Sequence, residues 1–205
     1  MTNVTLTVAQ PLFDQVDALL QQYPPTACSA GCSHCCHFPL AATAAEIVVM
    51  IEHLAATRTA QELEIIRTAA QGHVDRLTPL PLEEHLYVRT PCPLLSNNQC
   101  TAYSVRPLHC RGFHSSDVSH CLSELDEPKG NKVFPIFDIR RNWVATKAAQ
   151  MLENASREAN RDSKVYDFRA ALAYGLANKA AFLHAWNHGQ DILPATVRAD
   201  HLSNA

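Results

Sequence analysis

Glycine is scarce, with six in 205 residues, and no G-x-G-x-x-G, P-loop or G-x-S-x-G string occurs. Each of those motifs needs glycine, either for backbone approach to phosphate or for a tight turn. Nucleotide binding of those types and a hydrolase nucleophile elbow are therefore excluded. Apolar runs of about 18 residues are missing as well, so no transmembrane helix and no membrane partner is expected. Charge of one sign is also lacking: 17 Lys and Arg face 20 Asp and Glu, a formal net charge of −3. Sequence-independent nucleic-acid binding needs a basic face, so no nucleic-acid partner is expected. The opening Met-Thr-Asn-Val-Thr-Leu-Thr-Val has neither a basic start nor a long apolar stretch. No signal peptide is expected, and the chain is read as cytoplasmic and soluble. With 47% apolar and 18% charged residues the composition is globular, and the length suits a single domain over residues 1–205.

Cysteine is absent between the two places where it is dense. Cys28, Cys32, Cys35 and Cys36 form one group, Cys92, Cys100, Cys110 and Cys121 the other, and none follows Cys121. In a reducing compartment, thiols grouped like this read as metal-binding or catalytic before they read as disulfides.

The remaining pattern is mainly α-helical. Leu12, Phe13, Val16, Leu19, Leu20 and Tyr23 predict a helix from about Ala9 to Tyr23, stopped by Pro24-Pro25. Thr43-Ala-Ala-Glu46 and Thr59-Ala-Gln-Glu62 read as capping boxes opening two further helices, the first apolar on most sides. From Glu83 to Pro135 the periodicity is lost among prolines and Ser96-Asn97-Asn98, with a short strand predicted near Leu86–Val88. Helical pattern returns over about Arg141–Glu158 and again, as one long helix, over about Lys164–His188, with Gly189 as its stop. The tail beyond Gly189 is weakly patterned and expected to fray. The expected fold is helices packed around an irregular cysteine-rich metal-binding centre, with residues 28–121 as its core and 141–188 as a C-terminal helical pair.

The first group reads Cys28-Ser-Ala-Gly-Cys32-Ser-His-Cys35-Cys36. A short turn containing Gly31 can aim several sulfurs at one point and offer backbone N–H groups to thiolates. The second group adds sulfurs from distant sequence, so a bound metal would close long loops and stabilise the fold. Buried inert thiols are the competing reading, and four cysteines within nine residues argue against it. Cys121 reads equally as ligand or core.

These two strings, C-S-A-G-C-S-H-C-C with T-A-A-E-I after it and C-P-L-L-S-N-N-Q-C-T-A-Y-S-V-R-P-L-H-C-R-G-F, resemble the CxxCxxCC cysteine-cluster proteins of the YkgJ type, a zinc- or iron-chelating family. The resemblance covers residues 28 to about 121. It implies that Cys32, Cys35, Cys36, Cys92, Cys100 and Cys110 match the family's metal-binding cysteines and that Cys28 matches its first, although the first spacing here is three residues instead of two. Flagellin lysine N-methylases carry a similar motif associated with an iron–sulfur cluster, which brings in a cluster-dependent modifying enzyme as one reading.

Zinc and a four-iron cluster each take four thiolates, so ligand count alone does not separate them. Neighbouring side chains point apart, so adjacent Cys35 and Cys36 suggest a polynuclear centre, two sites, or one bystander. Iron, as an iron–sulfur cluster, is placed ahead of zinc, with a metal-binding protein as the first reading. A thiol redox sensor or metal-trafficking protein comes next and the modifying enzyme last. Among the other residues, His114 is retained as a minor ligand. His184 and His188 read as a solvated helix face. Arg106 and Arg111 are balanced between holding loop carbonyls or carboxylates and supporting thiolates or an anionic substrate. Trp143, Trp186, Phe168 and Phe182 are expected in the core.

Overall fold

A computed structural model describes residues 4–126, 137–194, 197 and 199. The first helix, α1 (Val4–Leu20), buries Ala9, Phe13, Val16 and Leu20, a stripe at helical spacing. Leu19, assigned to that stripe by the sequence pattern, is exposed instead. Two helices follow the short strand β1 (Ala41–Thr43): α2 (Ala44–Thr57) and α3 (Ala60–Leu77). Both begin with the expected capping boxes. Thr43 and Thr59 accept from the N–H groups of Glu46 and Glu62, whose carboxylates accept from the cap N–H groups in return. Nearly every residue from Ala44 to Ile51 is buried, so α2 forms the centre of the molecule, with α1, α6 and α7 around it.

The predicted strand near Leu86–Val88 is a 3-10 segment, Leu82–Tyr87, because Glu84 and Val88 turn their N–H groups back onto Pro81 and His85. A two-stranded hairpin follows, β2 (Leu95–Ser96) with β3 (Gln99–Cys100). Its loop is Asn97-Asn98, with φ of 50° and 59°, the left-handed pair a type I′ turn needs. Two short helices complete the cysteine-rich stretch, α4 (Leu108–Gly112) and α5 (Val118–Asp126).

The helix α6 (Ile139–Glu158) matches the expectation and is N-capped by Asp138. The single helix predicted over 164–188 is replaced by strand β4 (Val165–Asp167), α7 (Phe168–Ala177) and α8 (Lys179–Asn187), so the C-terminal part holds three helices rather than a pair. Val165-Tyr166-Asp167 pairs antiparallel with β1, opposite Thr43, Ala42 and Ala41. The Asp167 carboxylate then caps α7 by accepting from Ala170 N–H at 2.8 Å. Gly189, at φ 67°, ends α8 as expected. Of the tail expected to fray beyond Gly189, Ile192 and Leu193 are instead buried in the main core. Phe168, Phe182 and Trp186 are core residues as expected, whereas Trp143 is 61% exposed.

Candidate metal centre

The N-terminal cysteine loop leaves α1 through Pro24-Pro25 and is shaped by two backbone turns. Cys32 N–H bonds Ser29 C=O at 3.0 Å across Gly31, whose φ of 87° fits the third position of a type II turn. A 3-10 turn, His34–His37, then carries Cys35 and Cys36.

Two hydrogen-bonded seams join this loop to the distant cysteines. At the first, the Cys36 carbonyl accepts from Cys92 N–H at 2.8 Å and from Arg169 Nη2 at 2.9 Å. Ser33 Oγ reaches the hairpin loop at Asn98 Oδ1, 3.2 Å away, which brings the β2–β3 turn against the 3-10 turn. At the second, Ser115 N–H donates to Cys28 Sγ at 3.3 Å, while Ser115 C=O accepts from Ala27 N–H at 3.0 Å. The buried Cys121, on α5, also lies within hydrogen-bonding reach of Ser115, and α5 packs against the 3-10 turn. The stretches that carry Cys28–Cys36, Cys92–Cys100 and Cys121 therefore lie against one another.

All eight cysteines are free thiols. Cys35 and Cys36 lie within hydrogen-bonding reach of each other. This bond, with burial, drives the Cys35 thiol far up. The same bond and the nearby Arg169 charge lower Cys36 to about 7, against the opposing effect of burial. Burial pushes Cys92 up to about 11 and raises Cys100, Cys110 and Cys121. Cys110 keeps solvent-exposed surface.

Supporting residues fix this arrangement. Glu46, fully buried, accepts from Thr43 N–H and Oγ1 with one oxygen and from Leu108 N–H at 2.6 Å with the other. One carboxylate thus starts both α2 and α4, the helix that carries Cys110. The alternatives for Arg106 and Arg111 resolve toward carbonyls and a carboxylate: both grip Asp17 of α1. Arg106 reaches Oδ1 at 3.0 Å and also bonds Tyr103 C=O; Arg111 holds Oδ2 and the carbonyls of Arg106 and Ser104. Arg111 is 1% exposed and lies over the Phe13 ring. His114 is not free to bind metal. Its Nε2 meets Arg111 C=O at 3.1 Å and must carry the proton there, while its Nδ1 meets Thr26 Oγ1 at 3.2 Å. The His184 and His188 rings stack on each other, 4.0 Å apart.

The residue missed by sequence reading is Arg169. It is 2% exposed, 133 positions from Cys36, and only its Nη2 has a partner near the thiols; Nε and Nη1 are buried with none. A buried guanidinium with unused donors beside Cys36 and Cys92 suits a neighbouring anionic thiolate–metal centre. The donor set fits a thiophilic metal on that ground and on its abundance of sulfur. Among the described residues, no three His, Cys, Asp or Glu side chains hold an ion as they stand.

A family model for CxxCxxCC, described as a "putative zinc- or iron-chelating domain", matches residues 27–134, more than half of the chain. The chain belongs to the CxxCxxCC family. No curated protein and no solved structure matches it. The span matched by the CxxCxxCC model contains all eight cysteines and stops short of α6, so Arg169 and the helices that hold it lie outside it. Among the described residues of this CxxCxxCC chain, no helix is long and apolar enough to cross a membrane.

Proposed function

We propose that this CxxCxxCC protein holds iron, as an iron–sulfur cluster, through thiolates drawn from Cys28, Cys32, Cys35, Cys36, Cys92, Cys100, Cys110 and Cys121, with zinc as the alternative metal. The observation that carries the reading is the meeting of two distant cysteine stretches, at Cys36 and Cys92, beside Arg169, whose Nε and Nη1 have no partner. Burial makes lone thiolates expensive, and a bound cation offsets that cost. Both His114 nitrogens are engaged, and the eight cysteines of this reading suit an iron–sulfur cluster and are compatible with four-thiolate zinc. When bound, the cluster would supply electron transfer or a structural cross-link. The protein's part is to orient the sulfurs, limit water and place the Arg169 charge. Purification without air, followed by elemental analysis and a visible spectrum, tests this. Iron with cluster absorption supports it, and zinc alone moves the identity to zinc. A folded, metal-free protein with eight titratable thiols overturns it.

A second reading, thiol redox sensing or metal trafficking, is favoured by the close approach of the Cys35 and Cys36 thiols and by the exposure of Cys110. Mass spectrometry under mild oxidant separates the two: bound metal protects the thiols, whereas a sensor forms defined cysteine pairs.

A further inference from the structure

We infer that the outer face of α6, with the Tyr23-Pro24-Pro25 segment beside it, is a docking surface for a partner protein that presents an acidic helix carrying large apolar side chains. The inference does not depend on a metal centre, so the two readings stand or fall separately.

A helix packed on a core ordinarily turns polar residues outward. On α6, Ile139, Trp143, Lys147 and Met151 follow one another at intervals of four and form one ridge of the helix surface. Ile139 is 72% exposed, and Trp143 and Met151 are 61% exposed each. Val144, Ala148 and Leu152 on the inner side are buried, so the helix is well seated and the exposure belongs to the ridge alone. Three large apolar side chains left in one row mark a contact surface.

The ridge borders a groove. Tyr23, Ile139, Arg140 and Trp143 line a recess of about 270 Å³. A second recess, of about 530 Å³ between Pro24-Pro25 and the start of α6, shares Ile139 and Arg140 with the first, so the two are continuous. Arg141 holds the walls together, with Nη1 on Asp138 Oδ2 at 2.6 Å and Nη2 on the Pro24 carbonyl at 2.7 Å. Tyrosine, tryptophan and arginine around one recess are the side chains that dominate binding energy at interfaces.

Charge identifies the occupant. From Ile139 to Leu152 the sequence holds Arg140, Arg141 and Lys147 and no acid. Arg141 is buried against Asp138, whereas Arg140 and Lys147 stand at the surface on either side of Trp143, with Lys147 Nζ 5.9 Å from its ring centre. Cations bracketing an exposed tryptophan complement carboxylates. A symmetric contact with a second copy would set these cations against each other. A lipid surface suits a broad apolar face and about 4–8 clustered Lys or Arg, and this ridge is one residue wide with two. A narrow ridge fits the groove of a partner helix, with that helix's own apolar side chains seated in the recesses and its carboxylates on Arg140 and Lys147.

The test selects a displayed library of helical peptides of about 16 residues, four to five turns, on the full-length protein. Enriched peptides are then titrated by fluorescence anisotropy and by tryptophan emission. The other tryptophan, Trp186, is buried, so a blue shift reports on Trp143. Enriched sequences are expected to combine Asp or Glu with large apolar residues four apart. Trp143→Ala and the double variant Arg140→Glu/Lys147→Glu should each weaken them at least about tenfold, and the double variant should prefer versions with Lys in place of Asp and Glu. The substituted side chains are all on the surface, and far-UV circular dichroism checks that each variant is folded. No enrichment, enrichment of neutral or basic peptides, or binding indifferent to Trp143 overturns the proposal. So does a blue shift with phosphatidylserine vesicles and no selected peptide, which assigns the face to a membrane. A concentration-dependent dimer that Trp143→Ala abolishes also overturns it, in favour of a second copy.

Discussion

Replacing Glu46 by glutamine should weaken the fold by about 2–4 kcal/mol while preserving its shape. The carboxylate is fully buried and both its oxygens are used, in opposite directions: Thr43 N–H and Oγ1 at 2.8 Å each on one oxygen, Leu108 N–H at 2.6 Å on the other. An amide has one oxygen, so its NH₂ must face either the Thr43 donors or Leu108 N–H. A buried donor left without an acceptor costs about 1–3 kcal/mol, and the bonds that survive lose their charge assistance. Against a typical stability of about 5–15 kcal/mol the loss is large. Urea unfolding followed by circular dichroism reads it as a lower midpoint at unchanged slope. Hydrogen exchange at Leu108 or Thr43 should also quicken, showing which side the amide abandons. Glu46→Ala leaves every one of those donors unpaired and opens a cavity, so it should cost more than Glu46→Gln. A Glu46→Gln midpoint equivalent to a change under about 0.5 kcal/mol would refute the idea that this carboxylate joins α2 to α4.

Other outcomes follow from the same structure. A Cβ on Gly112 would stand 2.3 Å from the Ala145 Cβ and 2.8 Å from the Arg141 carbonyl, so Gly112→Ala should destabilise by about 1–3 kcal/mol in thermal or urea unfolding. Gly72→Ala, in α3 where a Cβ meets nothing within 4 Å, should stabilise by about 0.5–1 kcal/mol in the same assay. Arg169→Leu should lower metal affinity about 10–100-fold in chelator competition, and unchanged affinity would remove the guanidinium from the account of the centre. Asp167 is buried, which opposes its charge, but the hydrogen bonds of His73 and Ala170 N–H outweigh burial and hold its carboxyl below the usual range. Its folded pKa is therefore below its unfolded one. The stability it contributes is complete above the ordinary carboxylate range near pH 4 and lost as pH falls through the depressed value. Asp167→Asn should flatten that acid limb in urea midpoints taken from pH 6 downward, and an unchanged limb would assign it to other groups.

Features decided within a few residues were legible in advance. The capping boxes at Thr43 and Thr59, the turn at Gly31 and the stop at Gly189 each depend on neighbours in sequence, and each stands where its residues predicted. Features decided across long separations were not. Val165-Tyr166-Asp167 fits a helical stripe as well as a strand, and pairing with Ala41–Thr43 selects the strand. Trp143 reads as apolar by type, but α6 turns it outward while Val144 and Ala148 face the core. Arg106 and Arg111 carry no local sign of their partner, because Asp17 lies on a different helix.

The amino-acid sequence alone determined the thiols available to this protein, eight in two bursts, a mainly helical scaffold, and membership of the CxxCxxCC family written in its cysteine spacing. Residue type and local periodicity carry that information, since a thiolate is a soft ligand wherever it stands. Tertiary structure decided which sulfurs are neighbours and what surrounds them. The bonds that settle this join Cys36 to Cys92, Cys28 to Ser115 and Arg169 to Cys36. Such contacts form only once the helices have buried their apolar faces, so no short stretch of the chain records them.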